Sequence, residues 1–178
     1  MVIGALSFCS AFASPPRPQS PERTTAAFYA QYLKLRVMGV PDARARKKLT
    51  DVLSPGLLAA LARADEAEAQ YARETLNQVP PLFEGDLFSS LFEGATSYRL
   101  SGCTTESSTA RCVVDLTHAE GTGPPAIAWR DTLVLTSSVE LGWRVDDIDF
   151  GGTWEFASKD LLSAVLKDIV ADANSISQ

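Results

Sequence analysis

The chain has 178 residues, enough for one domain with a full hydrophobic core, and 46% of them are apolar against 21% charged. Its formal charge is −6. The densest basic run, Arg44-Ala45-Arg46-Lys47-Lys48, fans around a helix instead of forming a patch, so the phosphate neutralisation that nucleic-acid binding demands is missing.

Residues 1–13, MVIGALSFCSAFA, are apolar and uncharged. They end in the small-x-small triplet Ala11-Phe12-Ala13 and run into a proline-rich segment. That is the pattern of a secretory signal peptide cut after Ala13, without the usual basic start; the competing reading is a buried N-terminal segment. The run is too short for a membrane anchor, and Phe8 in front of Cys9 is too large for a lipoprotein signal. The expected product is periplasmic or secreted, without stable membrane insertion. Residues 14–20 read as a polar leader, 21–172 as a single domain and 173–178 as a frayed tail.

Ser20-Pro21-Glu22 predicts a helix start: N-cap, N1 proline, acidic first turn. The helix runs to about Met38 with Phe28, Tyr32 and Leu35 on one stripe, and Gly39 and Pro41 end it. A short helix spans about Ala43 to Leu53. Ser54-Pro55 repeats the cap signal and opens a longer helix to about Asn77. Pro80-Pro81 then close the helical half.

LFEGDLFSSLFEG, Leu82 to Gly94, follows as an aromatic corner, its Gly85 and Gly94 permitting turns. Four strands are predicted next, at about Ala95–Cys103, Ala110–His118, Ile127–Ser137 and Leu141–Asp149, with a Gly/Pro loop from Glu120 to Pro125. Short connections make the sheet antiparallel. After Gly151-Gly152, Ser158 caps a last helix carrying Leu162, Leu166 and Ile169. Helices, then a meander, then a C-terminal helix give an α+β fold.

Removal of residues 1–13 leaves Cys103 and Cys112, which face each other if the chain folds at Ser107-Ser108. In an oxidising compartment this predicts a cross-strand disulfide. No metal site is expected, because only His118 lies near enough to help, and no cofactor motif is present.

The strings Phe28-Tyr29-Ala30-Gln31-Tyr32-Leu33, Leu82-Phe83-Glu84-Gly85-Asp86-Leu87-Phe88 and Asp147-Ile148-Asp149-Phe150-Gly151-Gly152-Thr153-Trp154-Glu155-Phe156 resemble an exported bacterial family catalogued as domain of unknown function 3828. That family belongs to the nuclear transport factor 2-like, or cystatin-like, superfamily. The resemblance covers about residues 24–171. It implies helices wrapped by a curved four-stranded antiparallel sheet, a cone, and it implies no reaction.

A cone encloses a tapering space that aromatic side chains either fill or line. Tyr98, Trp129, Trp143, Phe83, Phe88 and Phe92 are the candidates to line a pocket for a small apolar or glycan-like ligand, with Glu84, Asp86 and Glu93 on its rim. His118, Asp147 and Tyr98 are the weaker candidates for acid/base chemistry, of the kind some superfamily isomerases and dehydratases place inside the cone. Strand alternation puts Asp115 on the face opposite His118, which weakens a dyad. The leading reading is a non-enzymatic binding or accessory module. Its rivals are an immunity or inhibitor protein docking a cell-wall-acting enzyme through loop 120–125, an isomerase or dehydratase, and a structural accessory. A small molecule or a protein is the expected partner, of a monomer or homodimer.

Overall fold

The computed structural model describes residues 20–176 apart from 122 and 124. The expected signal peptide, and most of the leader, lie outside the described residues.

Helix α1 is Pro21–Leu35, α2 is Ala43–Leu49 and α3 is Pro55–Glu74. The Ser20, Asp42 and Ser54 side chains cap them by accepting from Arg23 N, Ala45 N and Leu57 N, each satisfying one of the donors a helix start leaves open. The helices stop sooner than the sequence pattern suggests. Arg36 turns left-handed at φ 44°, and Leu76 and Asn77 do the same at 53° and 56°. Residues 50–53 leave α2 to place Val52 and Leu53 in the core.

Strands β1 (Ser97–Glu106), β2 (Thr109–His118), β3 (Ile127–Ser138) and β4 (Gly142–Asp149) form one antiparallel meander in that order. Register shifts at Leu100/Gly102 and at Val134/Leu135 mark bulges, which increase local twist and curl the sheet. Cys103 pairs with Cys112 across β1 and β2, and the two form a disulfide. Closing a loop of that size stabilises by about 2.5–3 kcal/mol on the chain-entropy argument.

Alternation along β2 and β3 sorts the two faces. Cys112, Val114, Leu116, Leu133 and Leu135 point toward the helices and are buried. Arg111, Asp115 and Arg130 stand on the opposite, outer face. The free edge of β4 is covered twice, by bridges from Leu53 to Val145 and from Leu161 to Asp149.

Helix α4 spans Leu162–Ile176, starting three residues later than a Ser158 cap predicts. Its cap comes from the sheet instead: Asp147 Oδ1 accepts from Ser163 N at 3.0 Å. The tail expected to fray from residue 173 continues as helix to 176, because Ala173 is buried against the rest of the protein.

Aromatic rings fill the space between α1 and the sheet. Phe28 meets Tyr29 and Phe88 edge-on at 5.1 and 5.7 Å, and Tyr29 stacks on Tyr98 at 4.7 Å. The Tyr29 hydroxyl is fully buried and has no hydrogen-bond partner among the described residues; burial pushes its ionisation well above the ordinary tyrosine range. A buried donor without a partner costs free energy. Tyr29→Phe is therefore expected to raise the urea-unfolding free energy by about 1 kcal/mol, and a loss of that size would show that the hydroxyl is satisfied in solution.

Candidate functional site

The corner LFEGDLFSSLFEG is built around two aspartates. The first is its own Asp86, which the sequence places on a rim and the structure buries to 4% exposure. Its carboxylate accepts from the Tyr32 hydroxyl at 2.8 Å and from Phe88 N at 2.8 Å. The Tyr32 oxygen in turn accepts from Ala95 N at 2.7 Å, and Asp86 N donates to Phe92 O. Gly94, at φ 74°, sits against both side chains, and a Cβ there would overlap the Asp86 carboxylate. Burial pushes Asp86 up to about 6, with the Tyr32 and Phe88 hydrogen bonds opposing that rise.

The second aspartate is Asp131 on β3, 1% exposed. Four donors converge on it: Ser90 N at 3.1 Å, Trp129 Nε1 at 3.0 Å, Gly151 N at 2.9 Å and the Ser90 hydroxyl. Ser90 Oγ also accepts from Gly152 N at 3.0 Å. One buried carboxylate thus ties the corner, β3 and the loop after β4 to each other. Both glycines are required by space: a Cβ on Gly151 would strike the Arg130 carbonyl, and one on Gly152 would lie 2.6 Å from Ala157 and 2.8 Å from Ser90. Sequence reasoning missed Asp131. Its signal is parity: in Trp129-Arg130-Asp131-Thr132-Leu133 the aspartate shares the inward register with Trp129 and Leu133, where a carboxylate stays only if donors meet it.

The loop held by Asp131 borders a cleft of about 620 Å³. This cleft crosses the outer face over β1, β2 and β3, and Thr153 and Trp154 contribute from the loop. The Trp154 ring meets Trp129 edge-on at 6.1 Å. The floor carries a charge cluster centred on Asp115, which accepts from Arg99 Nη2 at 2.6 Å, from Arg130 Nε and Nη2 at 2.9 and 2.8 Å, and from the Ser101 hydroxyl. The Ser101 hydrogen bond and then the Arg130 contacts hold the Asp115 carboxyl below the ordinary aspartate value.

The pocket candidates part company. Phe88 is core, and Trp129 is nearly so with its Nε1 committed to Asp131. Tyr98 stacks on Tyr29 and also borders the outer cleft. Trp143 and Phe83 are half-buried, packed against the core. Phe92 is 53% exposed, its ring filling the space a Gly85 side chain would need. Glu84 is exposed, and Glu93 borders two small clefts of about 150 and 120 Å³.

The acid/base candidates also separate. His118 is buried with Nδ1 at 2.7 Å from Gly94 O and Nε2 at 3.5 Å from Glu120; it borders the 150 Å³ cleft. Asp147 caps α4, and Tyr98 borders the outer cleft. Asp115 faces away from His118, as alternation requires. The bulge at Asp146 sends the three neighbouring carboxylates to three partners: Asp146 to Ser54, Asp147 to Ser163 N, Asp149 to Arg111. Among the described residues no His/Cys/Asp/Glu group could hold a metal ion, and no helix is long and apolar enough to cross a membrane.

Scans against protein-family models, curated proteins and solved structures return no match.

Two measurements probe the aspartates. Asp131→Asn puts an amide NH₂ where donors already converge, so urea unfolding should show a loss of at least about 3 kcal/mol; a loss under about 1 kcal/mol would mean the hub is dispensable. For Asp86 the native state holds its proton more tightly than the unfolded chain. Stability is therefore fully present below about pH 4 and falls as pH rises toward 6, by about 2–3 kcal/mol in all. Comparing wild type with Asp86→Asn between pH 4 and 7 should isolate this slope, and parallel curves would contradict it.

Proposed function

We propose that this protein is an exported, non-enzymatic binding module that takes a small glycan-like ligand in its outer-face cleft. Export is supported by the apolar start ending at Ala13 and by the Cys103–Cys112 disulfide, a bond that persists in oxidising compartments. The expected cone pocket loses ground to the outer face, because rings occupy the space between α1 and the sheet.

The carrying observation is the make-up of the 620 Å³ cleft: an indole, Trp154, beside hydroxyls and forked guanidiniums. Its volume lies within the range of small-molecule sites. Indole offers a flat apolar face to a sugar ring, while Thr117, Thr153 and the arginines offer hydrogen bonds to its hydroxyls. A preformed loop lowers the ordering cost of binding.

The enzyme reading has less support. His118, Asp147 and Tyr98 line no common cleft among those described above. The inhibitor reading rests on loop 120–125, of which residues 122 and 124 lie outside the described residues.

Titrating ¹⁵N-labelled protein with a panel of neutral and acidic trisaccharides tests the reading. Shifts should gather at residues 97–99, 115–117, 128–130 and 151–154, and Trp154→Ala should weaken binding about tenfold. Shifts centred on Tyr29 and Phe88 would return the ligand to the interior. No shift with any member of the panel would overturn the proposal.

A further inference from the structure

We infer that the outer-face cleft selects saccharides carrying a carboxylate, and that Arg99 and Arg130 read it. The inference rests on the cleft being a ligand site. Its own ground is the way the two guanidiniums are held and what they leave unused.

Charged residues lining the cleft are Arg99, Asp115 and Arg130, a local balance of one positive charge on a chain whose net charge is −6. Asp115 is a half-buried carboxylate between two arginines, and their two positive charges outweigh its one negative charge. It is engaged by both arginines and by Ser101. What reaches a ligand is the far side of each guanidinium. Arg130 spends Nε and Nη2 on Asp115, and Arg99 spends Nη2. That leaves Nη1 of Arg130, and Nη1 and Nε of Arg99, without a partner among the described residues.

The side chains are 78% and 64% exposed, yet each is held at its tip. Each guanidinium is therefore oriented before a second carboxylate arrives, which lowers the rotamer freedom still to be lost on binding. Planar N–H pairs match a carboxylate, and such charge-assisted bonds are the strong ones. Arg111, another arginine on this face, is committed to Asp149, and its charge is offset there.

The test compares trigalacturonic acid with its methyl ester, which keeps the sugar rings and removes the charge. By NMR titration at low salt the acid should bind at least about tenfold tighter. Arg99→Gln and Arg130→Gln, both at exposed positions, should each pull the acid-to-ester ratio toward one, and raising salt should weaken the acid alone. Equal binding of acid and ester would overturn this inference and leave the cleft as a neutral-glycan site. Failure of both probes to shift residues 97–99, 115–117 and 151–154 would overturn the inference and count against the cleft reading together.

Discussion

A buried carboxylate with four donors joins the corner before β1, strand β3 and the loop after β4. Asp131 collects Ser90, Trp129 and Gly151, which come from three segments distant in the chain. A bare carboxylate in that position would cost several kcal/mol. Surrounded by donors, it becomes a fixed point, and every segment that supplies a donor inherits its position. The corner before β1 and the loop after β4 would otherwise be surface segments with ordinary loop freedom.

That fixed point links the fold to the site. Gly151 and Gly152 are pinned against β3 and Ser90, so Thr153 and Trp154 leave the sheet in a set direction. The outer face of β1–β3 would be a plain, solvated sheet surface without them. With them it is the wall and floor of a cleft. Asp86 does related work at the other end of the corner, anchoring Tyr32 of α1 to the turn. One aspartate aligns the helix with the corner and the other aligns the corner with the sheet.

Most of the architecture was legible in the chain because it depends on local chemistry. Ser-Pro pairs mark helix starts, alternation marks strands, and the Cys103–Cys112 spacing marks a hairpin whose cysteines meet. What escaped was non-local. Helix ends depended on left-handed residues at Arg36 and Leu76, which composition does not announce. Helix α4 takes its cap from Asp147 on another element, so a search for a neighbouring Ser or Thr settles on Ser158 three residues early. The candidate site divides in the same way. Aromatics are visible in sequence, but whether they line or fill a space depends on what stands opposite. Tyr98 meets Tyr29, and Phe88 meets Phe28. Asp86 looked like a rim residue because an isolated carboxylate in a Gly-rich turn usually is one; the non-local donor that explains its burial, the Tyr32 hydroxyl, lies 54 residues away in sequence.

The account's central claim is that the loop bordering the outer cleft is a rigid part of the core, held by Asp131. Native-state hydrogen exchange at the Gly151 and Gly152 amides tests this most directly. If Asp131 and Ser90 hold them as described, both amides exchange only through global unfolding, with the protection of Leu133 and Val114 in the sheet centre. Exchange at the rate of an ordinary exposed loop would contradict the account, because the cleft would then have no fixed wall.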